Sequence, residues 1–199
     1  MKKETKIKTK EQLIKETVKE LKPFFDKPIV KLDAGAGHHQ IPPSEDGIEW
    51  IHQDGCFTDG IELVCKWDDI PLPNKSIDEL HFSDAVEHIP MWELDKTMGE
   101  LNRIMKVGAK IWGNTPNAHG TMKRFGSGEL SFKDAMLNMY GWADHPYQTH
   151  YMTYTHETLT VMMEKYGFGN ADYSKSPSHE GDHLNAWWLV FEFTKLKDI

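Results

Sequence analysis

Cysteine is scarce in this sequence. Cys56 and Cys65 are the only two in 199 residues, too few for a disulfide framework, so reduced thiols and a cytoplasmic setting are expected. Long apolar runs are missing as well, and no membrane-spanning segment is expected. The opening stretch MKKETKIKTKEQ is basic but lacks the apolar segment of a secretory signal. Internal repeats, low-complexity tracts and a clear linker are absent, so residues 1–199 are read as one domain with a full core. Positive charge is short beyond the beginning. Residues 1–22 hold eight Lys and four Glu, a balance of +4; the whole chain carries −8, which leaves −12 for the remainder. An acidic body argues against a broad nucleic-acid footprint, and the basic start is read as a solvated end.

What is present is an alternation of strand-like and helix-like segments. Residues 10–22 put Leu13, Ile14, Val18 and Leu21 on one face and charges on the other, an amphipathic helix that Pro23 is expected to stop. Residues 29–33 read as a strand entering a turn at Gly35-Ala36-Gly37, and Pro42-Pro43 keep 38–47 from forming a long helix. Further strands are expected at 49–53, 61–65, 79–83 and 110–114. Helical periodicity runs from 91 to 106, with Gly108 as a left-handed cap. The rhythm breaks over 118–153, where only 131–140 looks helical, and this insertion is read as a cap. A helix at 155–166, N-capped by Thr155 and stopped by Gly167, and strands near 170–174 and 184–194 complete the pattern. The alternation predicts a doubly wound, mostly parallel seven-stranded α/β sheet, with helices on both faces and the last strand antiparallel.

Sheets of this kind bind ligands beyond the carboxyl ends of their strands, where the strand order reverses. That rule puts residues 33–39, Asp54 and residues 83–88 on one rim. Gly35 and Gly37 let a ligand approach backbone amides with no Cβ in the way. Asp54 ends a strand twenty-one positions after Asp33, where a carboxylate can accept from ribose hydroxyls. A dinucleotide fingerprint would need a third glycine where Gln40 stands. Taken singly, each feature is also an ordinary strand-end turn.

VKLDAGAG at 30–37 resembles the first motif of class I S-adenosylmethionine-dependent methyltransferases. WDDIPLPNKSIDELHFSDAVEHIP at 67–90 resembles their stretch from the adenine-binding loop through the fourth strand. ELNRIMKVGAKIWGNTPN at 100–117 resembles the helix, turn and fifth strand that follow. The short link from Gly37 to Asp54, and MYGWADHPYQTHYMTYTHETLTVMMEKYGF at 139–168, are similar to a compact subgroup of that family. The resemblance implies S-adenosylmethionine as cofactor, with Asp33, Gly35 and Gly37 around its methionine part and Asp54 at the ribose. It implies Trp67, Asp68 and Asp69 against the adenine, and Ser83 and Asp84 near the sulfonium. The activity implied is methyl transfer; the acidic body, and not the resemblance, favours a small-molecule or sugar acceptor over nucleic acid. His39 and Lys66 stand where the family has a glycine and an acidic residue. A fold that holds the cofactor or its demethylated product without catalysis is therefore kept as the alternative.

Of eleven histidines, His88 follows Glu87 on the rim where a methyl acceptor should approach, and His145 and His150 lie in the insertion. Methyl transfer from a sulfonium is an in-line displacement, so positioning is the main task. A base helps only if the acceptor must lose a proton, a task that suits histidine near neutral pH. His88 and His150 are the candidate catalytic residues; a structural hydrogen bond is the plain alternative. His179-Glu180-Gly181-Asp182-His183 matches the zinc-protease pattern, which works only from one face of a helix. Pro177 precedes it and Gly181 interrupts it, so it is read as a polar hairpin and no metal is expected. Asn114-Thr115-Pro116-Asn117 is read as a strand-ending turn, and the Met and aromatic run at 136–142 as packing.

Overall fold

The computed structural model describes residues 8–45, 47–142, 148–175 and 187–199. Helix α1 (Lys10–Glu20) begins at Thr9, whose hydroxyl accepts from the Gln12 amide while the Gln12 side chain accepts from the Thr9 amide. Pro23 does not end the helical run. It sits in the first turn of a second short helix, α2 (Lys22–Phe25), where no intrahelical amide is required of it. Leu21, between the two, is buried in the core.

Seven strands form one sheet: β1 (Lys31–Ala34), β2 (Trp50–Asp54), β3 (Leu63–Val64), β4 (Ile77–His81), β5 (Met105–Pro116), β6 (Phe168–Asp172) and β7 (Trp188–Lys195). Their order is β3-β2-β1-β4-β5-β7-β6. Strands β1 to β5 pair in parallel, and β7 runs antiparallel between β5 and β6. The order reverses at β1, between β2 and β4. The sheet is the mostly parallel, Rossmann-like α/β arrangement that the alternation predicts, with its last strand antiparallel.

Register divides the sheet into two chemistries. Leu32 is opposite Ile51 and Leu80, Leu80 opposite Ile111, and Ile111 opposite Phe193. This row is fully buried, in one core with Met98, Leu101 and Ile104 of α3 (Leu94–Ile104) and Leu159 and Met163 of α6 (His156–Lys165). One residue along each strand, the side chains point to the other face. There Asp33 is opposite His52 and His81, His81 opposite Trp112, and Trp112 opposite Glu192. At Gly113 a Cβ would lie 2.2 Å from the Phe82 carbonyl oxygen, so only glycine lets β4 and β5 approach.

Gly108 does not cap α3. The helix ends at Ile104 and the chain enters β5 directly. Gly108, at φ +88°, takes up the irregularity between the pairs Ile77–Met105 and Glu79–Lys110. In the insertion, α4 (Ala118–Gly126) forms where no helix is expected, beside the expected α5 (Phe132–Tyr140). Ser131 caps α5, and a reciprocal Thr155–Thr158 capping box starts α6. Among the described residues no helix is long and apolar enough to cross a membrane.

Candidate functional site

A cavity of about 490 Å³ lies at the carboxyl rim, reached by Gly35, Gly37, Asp54, Trp67, Asp68 and Asp84. Its first wall is the turn after β1. Gly35 (φ +78°) and Gly37 (φ +51°) hold left-handed conformations that cost other residues about 1–2 kcal/mol each. The Gly35 and Ala36 amides both donate to the Gln53 carbonyl, at 2.8 and 3.0 Å. The Gly37 amide donates to Asp54 Oδ2 at 3.1 Å, and the Cys56 amide to Asp54 Oδ1 at 2.8 Å. The glycine turn and the strand-end carboxylate are therefore one assembly, and each carboxylate oxygen keeps a second lone pair for a ligand.

Sequence reasoning missed Gln53. Its side chain is fully buried; Nε2 donates to the Cys65 carbonyl at 2.6 Å and Oε1 accepts from the Gly35 amide at 3.3 Å. It ties the turn to the segment after β3, which carries Trp67. The Trp67 ring lies against the glycine backbone: a Cβ on Gly35 would meet its Cζ2 at 2.8 Å. Trp67 also meets Phe82 edge-to-face at 5.2 Å. Its indole N–H is buried with no partner among the described residues.

The other rim residues divide by position. Asp33 does not reach the cavity wall. Only 2% exposed, it accepts from His81 Nδ1 at 2.7 Å, His52 Nδ1 at 3.0 Å and the Ile41 amide at 3.2 Å. Burial alone would raise its pKa; the bonds from His52, His81 and Ile41 outweigh burial and hold it down at about 2. Asp68 pairs with Lys96 at 2.7 Å, while Asp69 turns away to Lys10 at 2.9 Å. Ser83 also stays off the wall, its hydroxyl donating to Asn114 Oδ1. Asn114 Nδ2 in turn donates to Asp84 Oδ1 at 2.9 Å. Asp84 has φ +46°, and burial, partly offset by Asn114, raises its pKa. Asn114 thus aims Asp84, a role the sequence reading did not give it.

Beyond Asp84 the chain makes one 3-10 turn, Val86–His88. Glu87 is buried; its Oε2 accepts from the Thr115 hydroxyl at 2.9 Å and its Oε1 has no partner among the described residues. Burial first, and the charge of Asp84 next, push its pKa up to about 8. The Glu87 carbonyl accepts from the Tyr151 and Met152 amides at 2.8 and 3.3 Å, which fastens the end of the insertion to the rim. His88 Nδ1 donates to the Thr149 carbonyl and His150 Nδ1 to the Asn138 carbonyl, each at 3.0 Å. The two rings meet edge-to-face at 4.8 Å. Burial, then the neighbouring His150, lowers the His88 pKa to about 4, and burial lowers that of His150. A second cavity, of about 460 Å³, is walled by Glu87, His150, Trp142, Trp187 and Trp188; it shares Asp84 and His88 with the first. His145 and the 179–183 segment lie outside the described residues.

A sheet with its last strand turned antiparallel between β5 and β6, and a cavity where its order reverses, defines a Rossmann-like α/β protein with a ligand-sized site at its carboxyl rim. Residues 7–172 match a family described as a methyltransferase domain, and the chain belongs to that family. The resemblance carried by 30–37 and the motifs after it is borne out. Among solved structures, an S-adenosylmethionine-dependent methyltransferase from Archaeoglobus fulgidus matches at 20% identity and TM-score 0.56, covering 93% of this chain and 94% of that one. One from Methanosarcina mazei matches at 15% and 0.59, covering 89% and 97%. The 1,6-didemethyltoxoflavin-N1-methyltransferase of Burkholderia thailandensis, solved with 1,6-didemethyltoxoflavin and S-adenosylhomocysteine, matches at 13% and 0.54, covering 94% and 80%. At these identities the likeness is one of fold. No curated protein matches the sequence at a significant level.

Proposed function

We propose that this chain is an S-adenosylmethionine-dependent methyltransferase that acts on a small-molecule or sugar acceptor held in the second cavity. The observation that carries the reading is the junction at Asp84 and His88, which line both cavities. In-line displacement needs donor carbon and acceptor atom to meet along one axis, and two cavities meeting at a shared wall suit that requirement. The cofactor supplies a methyl group on a sulfonium, with a neutral thioether as leaving group. In this reading Gly35 and Gly37 flank its methionine part, Asp54 takes the ribose, Trp67 and Asp68 lie along the adenine, and Asp84 faces the sulfonium. Asp33, Asp69 and Ser83 support these residues from behind. The free lone pairs of Asp54 on the cavity wall favour such a polar ligand.

His88 and His150 keep their Nε2 lone pairs available at the wall of the second cavity, because Nδ1 of each is spent on a carbonyl. Trp142, Trp187 and Trp188 favour an acceptor with a flat or sugar-like face. The 118–153 insertion acts as the cap, and the free thiols Cys56 and Cys65 favour a cytoplasmic setting. The test is incubation with methyl-tritiated cofactor and a cell extract separated into dialysable and macromolecular fractions. Label in the dialysable fraction is expected; label confined to protein or nucleic acid contradicts the reading.

A further inference from the structure

Glu87, His88 and His150 each bring one potential ligand atom to within 4.8 Å of the other two. The bonding around them is that of a prepared site. Both imidazoles donate Nδ1–H to backbone carbonyls, which fixes the tautomer and leaves the Nε2 lone pair for something else. Metal-ligating histidines are held in this way. Glu87 Oε1 is buried with no partner among the described residues, a situation that native structures resolve with a donor, a water or an ion. The cluster is also braced across the fold: the amides of Tyr151 and Met152, next to His150, are bonded to the carbonyl of Glu87 itself.

We propose that Glu87, His88 and His150 bind a single divalent transition-metal ion at the junction of the two cavities. Two imidazoles and one carboxylate suit zinc, manganese, cobalt or iron, whereas magnesium and calcium favour all-oxygen sites. Bonds of about 2.0–2.1 Å in a tetrahedral site separate ligand atoms by about 3.3 Å, so binding draws the cluster inward by about 1 Å. Three protein ligands leave a position open, and that position faces a cavity lined by Asp84 and three indoles. There the ion holds an oxygen or nitrogen of the acceptor. This last role rests on the methyltransferase reading; the ion site does not.

The test uses the full, untagged chain stripped with chelator. Titration calorimetry with zinc and with manganese chlorides, and absorption spectroscopy with cobalt(II), read metal binding directly. S-adenosylhomocysteine titration of each protein serves as the check on folding. One ion per chain with micromolar or tighter affinity for zinc or manganese, and visible cobalt bands, are expected. Binding should weaken by about a hundred-fold in His150→Ala and in Glu87→Gln, while exposed His119→Ala binds like the parent. Absence of binding tighter than millimolar, or equal binding by parent, His150→Ala and Glu87→Gln, overturns the proposal. Should S-adenosylhomocysteine bind while zinc, manganese and cobalt do not, the ion site fails and the methyltransferase reading stands; metal binding without S-adenosylhomocysteine binding is the reverse case.

Discussion

Replacing Asp33 by Asn should expose how much of the rim's stability rests on one buried charge. The carboxylate sits between His52 and His81 and also accepts from the Ile41 amide. These bonds lower its pKa from 3.8 to about 2. Because the folded value lies below the unfolded one, the ionised form stabilises the fold above pH 4, and that contribution is lost as pH falls through 2. The difference is worth about 2 kcal/mol at neutral pH, about half of that at pH 3, and little at pH 2. Urea unfolding followed by tryptophan fluorescence, run on parent and Asp33→Asn at several pH values, isolates this group, because the other carboxylates titrate alike in both. A gap of about 2 kcal/mol at pH 7, equivalent to roughly 4–8 °C for a chain of this size, should close steadily below pH 4. A gap under about 0.5 kcal/mol at pH 7, or one unchanged down to pH 2.5, would refute the reasoning.

Gln53→Ala should cost about 1–3 kcal/mol by stranding the Cys65 carbonyl, and should weaken S-adenosylhomocysteine binding because the glycine turn loses its brace; unfolding and titration calorimetry read the two effects separately. Gly113→Ala should lower the thermal midpoint by roughly 6–12 °C, about 3 kcal/mol, since its Cβ would press on the Phe82 carbonyl at 2.2 Å; an unchanged midpoint refutes the close approach of β4 and β5. Lys195→Met should cost about 2–4 kcal/mol in denaturant unfolding. The buried ammonium donates to the Asn102 and Met105 carbonyls at 2.7 and 2.9 Å, at the end of α3, and methionine cannot.

Local signals in the sequence account for much of the fold. The run Val30 to Gly37, the Thr155 cap and the strands around 50, 80 and 110 are set by short-range chemistry, and they stand within a few residues of where they are expected. Helix α4 is not legible in the sequence because AHGTMKRFG carries two glycines and begins without a side-chain cap; neighbours, not propensity, hold it. Gly108 looked like a helix cap because a left-handed glycine serves caps and bulges equally, and only the β4–β5 register distinguishes them. The candidate site was legible in its placement where a short-range pattern decides: Gly35, Gly37 and Asp54 line the rim cavity where a turn and a strand end are expected. It was not legible where pairing across the sheet decides. Asp33 meets partners 19 and 48 positions away, so its position behind the rim required the register. Gln53 and Asn114 are polar residues in strands, and only their buried contacts mark them as braces. The partnership of His88 with His150 likewise depends on the fold of the insertion, and joins residues that sequence spacing does not.

On the proposed function, the cavity at the ends of β1 and β2 holds S-adenosylmethionine with Asp54 on its ribose. Calorimetric titration of S-adenosylhomocysteine into the parent chain and into Asp54→Ala tests it most directly. One micromolar site per chain is expected, weakened about ten- to a hundred-fold in Asp54→Ala by the loss of a charged hydrogen-bond acceptor worth about 1.5–3 kcal/mol. No binding at millimolar ligand, or equal affinity in the two proteins, would contradict it.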